Sequence, residues 1–291
     1  GLLVRGLHRN HGYFEMKPVY KLFFAVSMLL TIVALVATVV IWRKTHGEFL
    51  GIDFRGGSLL EVSFESGRPN EIIREKKIAE ERRQEILKDL ETQYGPVRQE
   101  RFDDIGPTVG AQLKSKSIKA VVILLIVIVI YLAIVFRSMA RVLSPWAMGI
   151  AAIAALLHDV IIPIGVFSIL GAYYGVEISA VFVAAILTIL GYSVSDTVVV
   201  FDRIRENVVR FGGKESFPEL VHKSILQTLT RSINTSVTTL LALVAIFLFG
   251  GESVKYFALA LIIGIVSGTY SSIFIASPIV VWWHGFRKKG I

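Results

Sequence analysis

The sequence predicts a polytopic α-helical membrane protein of six transmembrane helices with one small α+β domain outside the bilayer. Three observations predict it. Hydrophobic residues make up 54% of the 291, mean hydropathy is +0.64, and the apolar residues fall in continuous runs rather than along one face of each segment, which is the composition of a membrane protein. Several runs reach the roughly 20 residues that a helix needs to cross the hydrocarbon core. No water is available there to satisfy backbone groups, so these runs must be helices. One long polar stretch, residues 43–119, interrupts the runs and has room for a domain.

The elements follow in order. Residues 1–21 form a basic cytoplasmic segment, and 22–42, Leu22 to Trp42, is the first span. It is longer than the core of a signal peptide and no small-residue cleavage motif follows it. Five further runs near 120–136, 145–170, 179–201, 229–249 and 255–283 make a helical bundle over 120–283, with a basic tail at 284–291. Two of them exceed the length of a perpendicular span, so tilt, a kink at Pro163 or a break near Pro278 is expected. Orientation comes from the short connections. Arg5, Arg9, Lys17 and Lys21 precede the first span, Arg137 and Arg141 follow the second, and Arg287, Lys288 and Lys289 end the chain. Arg203, Arg205, Arg210, Lys214 and Lys223 lie on that same side, whereas residues 171–178 and 250–254 hold no Lys or Arg. Both termini are therefore expected in the cytoplasm. The net charge of +8 is explained by this topology rather than by a nucleic-acid partner.

The polar stretch reads as a folded unit. Ser58 to Phe64 has the composition of a strand and Val97 to Ile105 offers a weaker second one. Between them, Pro69 opens a charged segment whose Ile72, Ile73, Ile78, Ile86, Leu87 and Leu90 recur near helical spacing until Gly95-Pro96. Its charges nearly balance, so a solvated helix face is the expectation. Just ahead lies Gly51-Ile-Asp-Phe-Arg-Gly-Gly57. Adjacent glycines at Gly56 and Gly57 permit backbone angles that other residues resist, so Gly51, Asp53, Arg55, Gly56 and Gly57 make a tight turn, with Asp53 and Arg55 in turn hydrogen bonds or a local ion pair.

Inside the membrane, Asp196 is the one side chain charged at neutral pH in the run Ala180 to Phe201. A carboxylate at the bilayer centre costs about 2.5 to 3.5 kcal/mol on insertion scales, and such residues mark ion and proton pathways. It must pair, protonate or face a wet cavity. Arg231, expected to open the fifth span, is the natural partner, and Asn234, Thr235 and Thr238 follow it as a polar stripe able to carry water. A static ion pair, or an Arg231 that snorkels to the headgroups, is the alternative. His158 and Asp159 form a second intramembrane pair one turn ahead of Pro163, suited either to proton relay or to a helix-to-helix hydrogen bond. Asp202, Arg203, Arg205 and Glu206 read as an interfacial cap with i,i+3 and i,i+4 charge pairs, and Trp282 and Trp283 as belt residues. There is no Walker A string, no metal-ligand cluster and no cysteine, so enzymatic, metal and cofactor readings find no support. Energy must come from a gradient or a partner.

As strings, Gly51 to Gly57, Leu157-His-Asp-Val160, Leu190 to Asn207 and Gln227 to Ser236 resemble the signatures of the SecD/SecF translocation family, on its SecF side. The resemblance covers nearly the whole chain. It implies half of an exporter of the RND superfamily, a periplasmic placing of the α+β domain, and residence in the bacterial inner membrane among its lipids. It implies as partners SecD, the SecYEG channel and preprotein substrates, and the proton-motive force in place of a cofactor. Asp196 and Arg231 match the carboxylate and arginine that the family's proton pathway employs. Two other readings stay open: an RND-like half-transporter of lipids or small molecules, and a passive membrane scaffold.

Overall fold

A computed structural model describes residues 18–47, 49–65, 71–137, 139, 144–212 and 214–289. The basic positions Arg5, Arg9, Lys17 and Arg141 and the expected helix opener Pro69 lie outside them. The chain divides into two compact units: Gly1–Val39, Ile123–Val166 and Ala185–Ile291 form one, Val40–Val122 and Phe167–Ala184 the other.

Six helices are long and apolar enough to cross a membrane. They are α1 (Pro18–Thr45), α4 (Pro107–Val135), α5 (Pro145–Tyr174), α6 (Ala180–Phe211), α7 (Phe217–Phe249), and a final helix in which α8 (Glu252–Ser271) and α9 (Ser277–Lys289) flank a π-helical segment, Ser272–Ala276. That π-helical segment stands where a break near Pro278 was expected. It serves the backbone directly: the Ser277 hydroxyl donates to the Ser272 carbonyl at 2.9 Å. Pro163 is held inside α5.

Three helices run well beyond their apolar cores. α4 takes in 107–119, assigned above to the polar domain, because Pro107 is pre-organised for a first helical turn. α6 continues ten residues past Phe201, carried by charge pairs along its surface: Arg203–Glu206 at 2.6 Å, Arg205–Asp202 at 2.7 Å and Arg210–Glu206 at 2.8 Å. The charge pairs expected among Asp202, Arg203, Arg205 and Glu206 are present, and they lie in the helix interior rather than at a cap. α7 starts at Phe217 because the Glu219 carboxylate accepts the Ser216 backbone N–H at 3.0 Å, a capping-box contact. Arg231 therefore sits about four turns into α7 rather than opening it.

Within the unit that holds the α+β domain, one helical turn, α2 (Ile52–Arg55), leads into β1 (Gly57–Phe64), then β2 (Glu71–Glu75), α3 (Glu80–Tyr94) and β3 (Val97–Ile105). The sheet runs β2-β1-β3, antiparallel throughout, with Leu60 opposite Ile73 on one side and Phe102 on the other. Leu60, Val62, Phe64, Ile78 and Ile86 are its buried core. Ile72 and Ile73 were expected on the helix and instead lie on β2. The β-branched pair suits a strand, and β1 supplies the ladder partners that an isolated window cannot reveal.

The Gly-rich motif is a junction. Gly56 and Gly57 both have positive φ, 75° and 129°, and a Cβ on Gly56 would stand 2.8 Å from the Pro107 Cα. Asp53 reaches the start of α6, where its Oδ2 accepts the Ala180 N–H at 2.7 Å. Backbone bonds flank it: Gly51 N–H to the Ile178 carbonyl at 2.9 Å and Ile178 N–H to the Phe49 carbonyl at 2.8 Å. The carboxylate thus meets an orphan donor at the positive end of a helix. Asp53→Ala is expected to cost about 1 kcal/mol of stability, while Asp53→Asn keeps an acceptor and most of that contribution. Thermal unfolding of the purified full chain checks both.

Glu177, in the same connection, pairs with Arg74 at 2.6 Å. Burial nevertheless pushes its carboxyl above the ordinary value of 4.5, outweighing the pull of that guanidinium, and the Asp53 charge adds to the rise. A raised acid favours the folded state below its unfolded value and loses that advantage as pH climbs through the folded one. Stability of this anchor is therefore expected to fall as pH rises from about 4.5. Glu177→Gln is expected to flatten that slope in thermal unfolding measured against pH.

Candidate functional site

The bundle is apolar outside and carries a layer of hydroxyl and carboxyl groups inside. Asp159 on α5 is fully buried, and His158 beside it is 4% exposed. Asp159 Oδ2 accepts two hydroxyls, Ser193 from α6 at 2.5 Å and Ser271 from α8 at 2.7 Å, and Oδ1 lies 3.0 Å from His158 Nδ1. His158 Nε2 is buried without a partner among the described residues. Burying a carboxylate in this way is tolerable only because donors surround it.

Asp196 on α6 is built to the same plan. Its Oδ1 accepts the Ser232 hydroxyl from α7 at 2.5 Å, and its Oδ2 accepts Ser272, from the first residue of the π-helical segment, at 2.6 Å. Two consecutive serines thus serve two carboxylates on two different helices. Further out, Tyr192 donates to Ser236 at 3.4 Å, and Ser236 meets Thr269 at 2.5 Å. Small residues let the helices approach: a Cβ on Gly268 would stand 3.0 Å from the Ser193 Cβ.

Asp196 differs from Asp159 in having an open side. A cavity of about 80 Å³ lined by Tyr192, Ser195, Asp196, Val199, Arg231 and Thr235 adjoins it. That volume holds water on the scale of a few molecules. Arg231 also lines a second cavity of about 290 Å³, together with Asp202, Arg203, Glu206 and Gln227. Arg231 therefore borders both spaces, and the larger one is rimmed by charges from α6.

The expected Asp196–Arg231 ion pair is not present. Among the described residues the ion pairs do not include Arg231, and both Asp196 oxygens are taken by serines. The two residues share a cavity instead. The polar stripe after Arg231 also differs from expectation. Thr235 donates to the Arg231 carbonyl at 3.0 Å and Thr238 to the Asn234 carbonyl at 2.9 Å, so both hydroxyls are satisfied within α7. Asn234, Thr235 and Thr238 are exposed on the surface of this chain, and of the stripe only Thr235 joins Arg231 at the small cavity. The residues that hold the carboxylates, Ser193, Ser232, Ser271 and Ser272, were not singled out in the sequence. Serine is common in membrane helices, and the one legible hint was the Ser271-Ser272 pair in an apolar run.

Among the described residues no group of His, Asp and Glu forms a metal cluster. The arrangement suits proton chemistry. A carboxylate only accepts hydrogen bonds, and its protonated form must donate one. Protonation of Asp196 adds a donor to a carboxyl that now only accepts, and removes the charge that strengthens both serine bonds.

Comparison with known proteins places the chain. Residues 85–285 match the family described as "Protein export membrane protein SecD/SecF, C-terminal", and residues 50–67 match the "SecD/SecF GG Motif". The chain belongs to the SecD/SecF family. Its relatives put it on the SecF side. It is 39% identical over 298 residues to a protein translocase subunit SecF of Synechocystis, covering 90% of this chain and 92% of that protein. It is 50% identical over 195 residues to the SecF of Thermobaculum terrenum, covering 67% of this chain and 60% of that one. The crystal structure of SecDF from Thermus thermophilus, a translocon-associated membrane protein, aligns over 94% of the chain with a TM-score of 0.79 at 32% identity. The alignment spans 39% of that longer SecDF chain. A second SecDF structure, in a super-membrane-facing form, aligns over 95% with a TM-score of 0.71. The SecF fold, a multi-pass membrane bundle with a three-stranded α+β domain, is the fold described above.

Proposed function

We propose that this chain works as the SecF subunit of a SecDF assembly in the bacterial inner membrane, with both termini cytoplasmic and the α+β domain in the periplasm. There it uses the proton-motive force to assist preproteins through the SecYEG channel. The observation that carries the proton role is the carboxylate of Asp196, held by two hydroxyls from neighbouring helices and open to a cavity that Arg231 shares. Arg231 supplies a fixed positive charge beside the same cavity. When Asp196 takes up a proton, its attraction to Arg231 falls and its bonds from Ser232 and Ser272 lose their charge assistance, which lets α6 shift against α7 and the final helix. That rearrangement, passed to the periplasmic domain, biases substrate movement.

The energetics suffice. A proton moving down the gradient yields about 2.3 kcal/mol per 100 mV, enough to shift a two-state equilibrium by more than tenfold. No cofactor or metal is invoked, and no catalytic step is assigned. SecD is the expected partner, since the matching structures hold SecF fold and SecD in one longer SecDF chain. Named relatives of this chain are translocase subunits, which disfavours both a small-molecule exporter and a passive scaffold. Preprotein release from vesicles with and without this subunit, each with and without a proton gradient, tests the reading. The expected result is a gradient-dependent increment that vanishes with the subunit. An increment that survives its removal contradicts the proposal.

A further inference from the structure

Resting on the proton role assigned to Asp196, we infer that Asp159 is a positioning residue for that site, acting through the Ser271-Ser272 pair. Ser271 donates to Asp159 Oδ2 at 2.7 Å and the next residue, Ser272, donates to Asp196 Oδ2 at 2.6 Å. The two serines sit where α8 gives way to the π-helical segment. Such a segment adds a residue to the turn and occurs often at functional sites. Here it turns consecutive side chains toward carboxylates on α5 and α6.

Asp159 is well suited to hold and poorly suited to exchange. It is fully buried, fixed by Ser193, Ser271 and His158 together, and lines neither of the two cavities that Arg231 borders. Asp196 has the open side. Asp159 therefore pins Ser271, Ser271 fixes the backbone at the π-helical start, and that backbone sets where the Ser272 hydroxyl meets Asp196. The titratable and charged groups around the pair are Arg231 from α7, Tyr192 from α6, His158 from α5 and Tyr270 from α8. Of these, Arg231 and Tyr192 line the Asp196 cavity, and the Tyr270 ring lies 6.2 Å from His158.

Ser271→Ala separates positioning from contact, because the Ser271 hydroxyl bonds Asp159 and not Asp196. The readout is the pH midpoint of the Asp196 carboxyl band in infrared spectra of the full chain in lipid vesicles, identified as the band absent in Asp196→Asn. Ser272→Ala, which removes a donor from the carboxylate itself, is expected to move the midpoint by about one pH unit. Ser271→Ala is expected to move it in the same direction to a comparable extent, and Asp159→Ala likewise where that variant folds. A midpoint that moves in Ser272→Ala and stays put in Ser271→Ala overturns the positioning role and leaves the function of Asp196 standing. Absence of any titrating band in the unsubstituted chain overturns both.

Discussion

Asp196→Asn is expected to reduce gradient-driven preprotein release to the level measured without a gradient, while release independent of the gradient persists. The amide is nearly isosteric with the acid and still offers one oxygen to a serine. It cannot take up and release a proton at any accessible pH. Both serines now donate to Asp196, so the neutral amide, which must donate from one side, opposes one of them and mimics the protonated state permanently. The bundle is thereby held in one of its two arrangements. Asp196→Glu keeps the chemistry, and the neighbouring cavity of about 80 Å³ accommodates the extra methylene, so partial retention is expected. Parallel assays of release, normalised to subunit abundance, check the pair. Equal loss in Asn and Glu variants would point to packing rather than protonation.

The largest effect on folding is expected at Gly165. A Cβ there would stand 2.6 Å from the Ala34 Cβ, 2.8 Å from its Cα and 3.0 Å from its carbonyl oxygen. Two of those three atoms are backbone, which cannot move as a flexible side chain does. α1 and α5 touch through this position, and close approach of small residues is what holds helices together where no hydrophobic force acts between them. Gly165→Ala is expected to destabilise the bundle by about 1 to 3 kcal/mol, and Gly165→Leu to prevent its assembly. Ala34→Gly in the Gly165→Ala background is expected to recover part of the loss, since it removes the nearest atom and leaves the backbone clash. Gly264 is a second closed position: its added Cβ would fall within 2.8 Å of Cδ1, Cγ1 and Cγ2 of Ile189, a fully buried β-branched side chain with little freedom to turn aside. Thermal unfolding in detergent ranks the series.

Much of this organisation is written in the sequence, because hydropathy is local. Continuous apolar runs need no tertiary information to be read as helices, and the strands at Ser58–Phe64 and Val97–Ile105 announce themselves by composition. β2 does not, since Glu71–Glu75 becomes a strand only by pairing with β1. Helix ends were misjudged where a polar helix prolongs an apolar one, as in α6 beyond Phe201 and α7 before Leu229. The capping residues at Ser216 and Glu219 carried that signal for α7. At the site, the charged residues were legible because a charge in a membrane run is rare. Their serine partners were not, because contact between Ser232, Ser272 and Asp196 depends on how three helices pack. Arg231 shares a cavity with Asp196, while the expected direct ion pair is absent and two serine hydroxyls hold the carboxylate.

The account turns on whether Asp196 changes protonation in the working protein. Infrared difference spectra of the full chain in lipid vesicles, recorded across a pH series and compared with Asp196→Asn, measure this directly. The account predicts a protonated-carboxyl band that grows as pH is lowered and is missing from the Asn variant. A carboxylate that stays ionised through the whole series, with spectra identical but for its constant signal, would contradict it.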